Sequence, residues 1–149
     1  GLVDAAVFTL VPALEQGRSL SSAIVDQDAP VTLVDRIDIT QHPTPGLFVR
    51  KRGAKTRVTK GVIVAANIPL QWTAGPSNCY LIQQAEIAGL GSNPSGLFAD
   101  TGDSGSVVLE QDSATAVGLL WGKKFGGAYG IISDIRNVES QLNVNVAWL

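Results

Sequence analysis

Residues 101–108, TGDSGSVV, join a tight turn of Gly, Asp and Ser to an apolar strand. A loop of this kind exposes the Ser104 hydroxyl, and Gly102 permits a backbone conformation that turns its own N–H toward the same side. A nucleophilic serine needs such N–H groups to hold the oxyanion of a tetrahedral intermediate. The pattern differs from the Gly-x-Ser-x-Gly elbow, because Ser106 stands at the last position. An ordinary polar hairpin turn is the alternative interpretation.

Strand signals flank this loop on both sides, each rich in β-branched or aromatic residues and bounded by turn residues. The predicted strands are Leu47–Arg52, Val58–Ala66, Cys79–Ile87, Ser106–Glu110, Ala116–Trp121 and Ala128–Ile132. A helix is predicted over 134–142, where Ile135, Val138 and Leu142 recur at helical spacing and Ser133 or Asp134 can cap the start. These elements predict an all-β fold, a small closed barrel or a sandwich, with a terminal helix.

The first third of the sequence is less regular. Val3–Leu10 is an apolar stretch that predicts a short strand, ended by Pro12. Glu15–Pro45 is predicted to be a surface linker with at most one strand, around Val31–Val34. The start lacks a basic region and a cleavage site, so no signal peptide is expected, and the chain is interpreted as a processed product of something longer.

The composition limits the functional classes. The 149 residues fit one domain, and 45% hydrophobic with 16% charged residues is typical of a globular protein. A net charge of −2 does not favour nucleic acid or an anionic membrane as a partner, and no apolar run is long enough to span a bilayer. The single Cys79 excludes an internal disulfide, which weakly favours a cytoplasmic location. No metal-ligand or phosphate-loop spacing is present, so neither a metal nor a cofactor is expected.

At this point the chain resembles the trypsin/chymotrypsin family. Residues 101–108 are similar to its nucleophile loop, and Val117–Gly122 to the strand that pairs with the substrate backbone. Val3–Val7 resembles the strand whose aspartate orients the catalytic histidine, and Val49–Val62 resembles the first hairpin of the second barrel in bacterial-type members. The resemblance implies a chymotrypsin-like six-stranded antiparallel β-barrel, the second barrel of such a protease, with a C-terminal helix.

That resemblance also implies a division of the chain and a catalytic centre. Residues 1–12 would be a strand of the first barrel, 13–46 the linker between barrels, and 47–149 the second barrel. Ser104 would be the nucleophile, and the N–H groups of Gly102 and Ser104 would form the oxyanion hole. Asp4 would hold the histidine in the required tautomer. Asp103 would fix the loop through a partner that the sequence does not identify.

Substrate contacts follow from the same resemblance. Phe98, six residues before the nucleophile, would lie at the base of the first specificity pocket, and Trp121 and Gly122 would contact the substrate. Without an acid at Phe98, the pocket should prefer small or apolar side chains. Asp100 is expected to point away from it. Alternatively, Phe98 packs in the barrel core and other residues form the pocket.

A histidine base is the missing part. In this family the histidine precedes the aspartate, so its counterpart would lie before Asp4. The only histidine, His42, lies in a Pro-flanked polar segment and is expected to be an exposed linker residue. A compact triad of His42, an intervening acid and Ser104 would be the alternative; the acids in question are Glu86, Asp100 and Asp103.

Two functions of different classes remain open. The first is the C-terminal part of a serine endopeptidase, inactive alone and completed by an N-terminal half that carries the histidine. The second is an inactive protease-fold module for binding or regulation. A third, weaker hypothesis is nucleic-acid binding by the hairpin cations Arg50, Lys51, Arg52, Lys55, Arg57 and Lys60. The preferred interpretation places these cations on the solvated face of an edge hairpin, with peptides as substrates and no nucleic acid or membrane partner.

Overall fold

Eight β-strands and an α-helix organise the part of the chain that the structure, a computed structural model, describes: residues 24–28, 31–34, 37, 39–74, 77–93 and 95–146. The strands are β1 (Ile24–Asp28), β2 (Val31–Val34), β3 (Phe48–Gly53), β4 (Arg57–Ala74), β5 (Ser77–Gly89), β6 (Val107–Glu110), β7 (Ala116–Lys124) and β8 (Tyr129–Asp134), and the helix is α1 (Ile135–Leu142). The predicted strand Val3–Leu10, with Asp4, lies outside the described residues.

Strands β3 to β8 form a closed antiparallel barrel in the order β3-β4-β5-β8-β7-β6. Pairing of β3 with β6 closes it, at Val49 with Glu110 and at Lys51 with Val108. Closure removes the free strand edges that an open sheet would expose. The prediction of a six-stranded antiparallel barrel followed by a C-terminal helix is therefore confirmed.

The segment that was predicted to be a linker contains two strands, where the sequence predicted at most one. β1 and β2 form an antiparallel pair, with Ile24 opposite Val34 and Asp28 opposite Val31. The sequence of β1, IVDQD, has no alternation of apolar and polar residues, so its local pattern gave no strand signal. Its hydrogen bonds come from β2, which the pattern did identify.

β4 and β5 extend beyond their predicted ends into one long hairpin. The prediction ended β4 at Ala66, because Asn67 and Pro69 follow as apparent breakers. In the structure β4 continues to Ala74, with register shifts between Ala65 and Ile68 and between Ile68 and Leu70. Such irregular positions let a paired strand bend and continue, which is where residues unsuited to a regular strand are tolerated.

The barrel interior is mostly apolar, and Phe98 is the largest fully buried side chain among the described residues. A Cβ at Gly130 would lie 2.4 Å from Cδ1 of Phe98, so the missing side chain on β8 provides the space that the ring fills. Burial of an aromatic side chain of this size stabilises the fold by about 1.5–3 kcal/mol. The other buried members of this core are Val49, Ile63, Ala85, Ile87, Ala99, Val108, Val117, Leu120 and Ile132.

Two cations of the β3–β4 hairpin are buried, which corrects the expectation that all six face solvent. Arg50 is 9% exposed and Lys51 only 2%. Nη1 of Arg50 donates to the carbonyl oxygens of Glu110 and Gln111. The hairpin is also no edge, because β3 is paired on both sides. Burial is tolerated since each cation has oxygen partners.

Helix α1 packs on the outside of the barrel through Ile135 and Val138, which join a second apolar cluster with Leu109 and Ala116. Asp134 caps the helix, as predicted: its Oδ1 accepts a 2.9 Å hydrogen bond from the Arg136 N–H. None of the helices in the described residues is long and apolar enough to cross a bilayer.

Candidate active site

Ser104 lies exposed on a tight loop between Asp100 and the start of β6. Gly102, with φ of 104°, and Gly105, with φ of 89°, flank it in backbone conformations that favour glycine. The Gly105 N–H donates to the Leu120 carbonyl at 2.8 Å, which ties the loop to β7. The two glycines and this tie let the loop turn sharply at Ser104.

Two backbone N–H groups of this loop, those of Gly102 and of Ser104 itself, are available to a ligand. The Asp103 N–H donates to the Asp100 carbonyl at 3.0 Å, and the Ser106 N–H to the Asp103 carbonyl at 3.1 Å. Within the described part of the chain, the N–H groups of Gly102 and Ser104 donate to no protein acceptor. The Ser104 hydroxyl itself donates to the Trp121 carbonyl over 3.3 Å.

A buried network beneath the loop identifies the partner of Asp103 that the sequence left open. Asp103 is 1% exposed, and its Oδ2 lies 3.2 Å from Nζ of Lys51 and 2.6 Å from Oγ1 of Thr56. Oδ2 also accepts the Asp100 N–H at 2.9 Å, while Oδ1 accepts the N–H groups of Lys55 and Thr56 at 2.7 and 3.1 Å. Five donors therefore hold one carboxylate and, with it, the residue before Ser104.

Hydrogen bonds favour the charged form of Asp103 despite its burial. Burial alone would raise the pKa of Asp103, but hydrogen bonds from the Thr56 hydroxyl and from the N–H groups of Asp100, Lys55 and Thr56 hold it well below its ordinary value. Burial lowers the pKa of Lys51, although the carboxylate of Asp103 opposes that shift. Nζ of Lys51 also lies 5.5 Å from the centre of the Phe98 ring, which links the pair to the core.

Lys51 was predicted to be an exposed hairpin cation, yet the sequence contains one signal of its burial. Val49, Lys51 and Gly53 share one face of β3, because side chains alternate along a strand. Val49 is fully buried, so the same face carries Lys51 inward. A Cβ at Gly53 would lie 2.2 Å from Oδ1 of Asp103, so only glycine at this position leaves space for the carboxylate.

A cavity of about 170 Å³ opens beside Ser104. One wall comes from the loop before the serine and the other from β7; the lining residues are Ala99, Asp100, Thr101, Gly102, Ser104, Leu120, Trp121, Gly122 and Lys123. Two of the three predicted substrate contacts, Trp121 and Gly122, therefore lie together with Ser104 and Gly102. These are the sequence-predicted residues that the structure brings together.

Phe98 follows the alternative interpretation and packs in the core, while Asp100 lies where the sequence did not predict it. Phe98 is not among the lining residues: it is fully buried, and its carbonyl accepts the Thr59 hydroxyl at 2.8 Å. Asp100, expected to point away, lines the cavity instead. Its Oδ1 accepts the Thr101 N–H at 2.7 Å and lies 2.5 Å from Nζ of Lys123 on the opposite wall.

Gln84, which the sequence did not single out, positions the indole of Trp121. The Trp121 Nε1–H donates to Oε1 of Gln84 at 2.8 Å, and the Ser133 hydroxyl donates to the same oxygen at 3.0 Å. Gln84 is fully buried. A buried amide needs partners, and this one connects β5 and β8 to the cavity wall on β7.

His42 lies at a different place from Ser104. Its Nδ1 is 2.5 Å from Oδ2 of Asp134, and its side chain is 62% exposed, as the linker interpretation expected. The 230 Å³ cavity that His42 and Asp134 line shares no residue with the cavity beside Ser104. The compact triad is not formed, because the acid that His42 contacts is none of the three between it and Ser104.

Solved structures of other proteins share the fold of this barrel. No family model and no curated protein matches the sequence. The structure superposes on a glutamic acid specific serine protease with a TM-score of 0.67 at 19% identity, covering 88% of this chain and 63% of that one. It superposes on the chymotrypsin of Cellulomonas bogoriensis with a TM-score of 0.68 at 16% identity, covering 88% and 64%.

Protease A of Thermobifida fusca is also similar, with a TM-score of 0.64, 18% identity and coverage of 85% and 61%. The barrel has a chymotrypsin-like fold. The chain spans less than two thirds of the length of each of these three proteases. Asp4, the remaining predicted catalytic residue, lies outside the described residues, and its role stays a prediction.

Proposed function

We propose that the chain is the C-terminal part of a serine endopeptidase. One observation carries the proposal: on a chymotrypsin-like barrel, an exposed Ser104 hydroxyl lies beside two N–H groups that have no acceptor among the described residues, on a loop that the buried Asp103 fastens. An oxygen nucleophile next to preorganised donors is the arrangement that acyl transfer requires.

In the proposed reaction, the Ser104 oxygen attacks the carbonyl carbon of a peptide bond while a histidine accepts its proton. The N–H groups of Gly102 and Ser104 stabilise the oxyanion, and the histidine then gives the proton to the leaving amine. Water hydrolyses the acyl-enzyme by the same steps. Asp4 orients the histidine in this proposal.

The histidine is proposed to come from an N-terminal half, because the only histidine of this sequence contacts Asp134 instead. Residues 1–12 would belong to that first barrel, 13–46 would link the barrels, and 47–149 would form the second barrel. Without the histidine, Ser104 is a weak nucleophile. A triad that lacks one member retains a reaction rate about 10³–10⁴-fold above the uncatalysed rate in water.

Peptide side chains are proposed to enter the cavity beside Ser104, with the substrate backbone along Trp121 and Gly122. The buried residues of its lining, Ala99 and Leu120, are apolar and each 2% exposed. This supports the preference for small or apolar side chains. Phe98 would pack in the core behind the cavity wall and would not contact the substrate directly.

A fluorophosphonate probe tests the proposal, since it reacts with a serine only when a base activates it. The protein as isolated from its source and the chain alone are treated in parallel, and mass spectrometry locates the label. We expect labelling at Ser104 in the isolated material and little in the chain alone. Ser104→Ala should abolish the label, while Ser140→Ala, on the exposed face of α1, should retain it.

An inactive protease-fold binding module is the second candidate. It is favoured by one contact, the 3.3 Å hydrogen bond from the Ser104 hydroxyl to the Trp121 carbonyl, because this bond engages the proton that a base would have to accept. If folded protein from its source shows no label at Ser104, the endopeptidase proposal is wrong and this candidate replaces it.

A further inference from the structure

The cavity beside Ser104 carries one opposite charge on each wall. Asp100 lies on the wall before the serine and Lys123 on the β7 wall, and their Oδ1 and Nζ atoms are 2.5 Å apart. The side chain of Asp100 is 29% exposed and that of Lys123 36%. The pair thus lies at the solvent side of a cavity whose buried lining is apolar.

A charged ligand side chain would have to compete with this pair. A carboxylate that reached Lys123 would displace Asp100, and an ammonium group that reached Asp100 would displace Lys123. Either way one charge is left without its partner. This cost lowers the affinity for a charged ligand relative to an uncharged one. An uncharged side chain leaves the pair intact.

The charges around the cavity are not balanced. Lys55 lines an adjoining cavity together with Asp100. The hydrogen bond from Lys123 is the main cause that lowers the pKa of the Asp100 carboxyl, and the positive charge of Lys55 adds a smaller contribution. Two lysines therefore surround one aspartate. Removal of Asp100 leaves two cations next to the cavity, whereas removal of Lys123 leaves Asp100 with Lys55.

We propose that the ion pair between Asp100 and Lys123 is a specificity determinant, which reserves the cavity for uncharged side chains and masks an underlying preference for acidic ones. The inference rests on the proposed function, in which this cavity receives a side chain of a peptide substrate. It assigns to Asp100 and Lys123 a role in selection, and none in the chemical step.

Peptide binding tests this inference without requiring turnover. The probes are N-acetylated tetrapeptides, identical except for a last residue that is leucine, glutamate or lysine, and their affinities are measured by calorimetry at low salt. The variants are Asp100→Asn and Lys123→Gln. Lys124→Gln is the matched control, because Lys124 is also 36% exposed and paired, with Glu86, but does not line the cavity.

We expect the unmodified chain to prefer leucine. Asp100→Asn should improve the affinity for the glutamate peptide relative to the leucine peptide by about fivefold, the scale of a solvent-screened charge pair. Lys123→Gln should shift the ratio toward lysine by no more than about twofold, since Lys55 still offsets Asp100. Raising the salt concentration should reduce both changes.

An unchanged ratio in Asp100→Asn, an equal change in Lys124→Gln, or no binding of any peptide would each overturn the inference. The fluorophosphonate probe separates this failure from failure of the proposed function, because its reaction depends on Ser104 and not on these charges. Labelled Ser104 with unchanged peptide ratios leaves the endopeptidase proposal standing and removes only the role of the ion pair.

Discussion

The Lys51–Asp103 pair and the His42–Asp134 pair each join residues distant in the sequence, but they differ in burial. Both side chains of the first pair are inaccessible to solvent, whereas His42 of the second is 62% exposed. A buried charge that loses its partner has no water to replace it, and an exposed one does. We therefore expect the Lys51–Asp103 pair to determine whether the Ser104 loop forms. The His42–Asp134 pair should only strengthen the contact between the segment of His42 and the start of α1.

Asp103→Asn should cause the largest loss of stability. It leaves the ammonium group of Lys51 buried without its carboxylate, and removal of one partner of a buried pair costs about 3–5 kcal/mol. Urea denaturation at neutral pH measures the free energy of unfolding. The double variant Lys51→Met/Asp103→Asn, which removes both charges, should recover part of the loss. A loss below about 1 kcal/mol for the single variant would contradict the comparison.

Acid should remove the same stabilisation without a substitution. An unfolded aspartate takes up its proton near pH 4, whereas the donors around Asp103 hold its folded pKa well below that value. Stability from this group is thus fully present above about pH 4 and is lost as the pH falls further, because the unfolded state binds the proton first. The difference in unfolding free energy between the unmodified chain and Asp103→Asn should shrink below pH 4. A difference that stays constant down to pH 3 would exclude this linkage.

Gly53→Ala tests the space around the carboxylate. The new Cβ would meet Oδ1 of Asp103 at 2.2 Å, so the carboxylate or β3 must shift, and overpacking of this kind costs about 1–3 kcal/mol. Gly91→Ala is the control, because no atom lies within 4 Å of its added Cβ. It should change stability by less than about 0.5 kcal/mol. Equal effects of the two substitutions in thermal unfolding would mean that Gly53 is not fitted to Asp103.

The contrast between the pairs also shows which features the sequence could predict. Strands and the helix were predicted because their signals are local: alternation, turn residues and a cap at Asp134. Lys51 and Asp103 are 52 positions apart and His42 and Asp134 are 92 apart, so no local pattern links them. Barrel closure brings them together, and only the inward register of Lys51 with Val49 could have indicated its burial.

The candidate site divides in the same way. The sequence could place Ser104 and Gly102 on one tight turn, because that turn needs glycine at a defined position, which is a local requirement. The lining of the adjacent cavity depends on how two walls from different strands meet. The sequence left Phe98 open between pocket and core and expected Asp100 to point away, whereas in the structure Phe98 packs in the core and Asp100 lines the cavity. A residue count back from Ser104 gives a position along the chain, but not the direction in which a side chain points.

The smallest effects are expected at the pair of the exposed His42 and the buried Asp134, and they separate its two members. Asp134→Ala removes the cap of α1 as well as the contact with His42, and loss of a helix cap costs about 0.5–2 kcal/mol. His42→Ala removes only a contact whose imidazole is mostly in water, which is worth at most about 1 kcal/mol. Urea denaturation of both variants and of the double variant gives the coupling between the two side chains. If His42→Ala costs as much as Asp134→Ala, the pair behaves like a buried one, and burial does not explain the difference between the two regions.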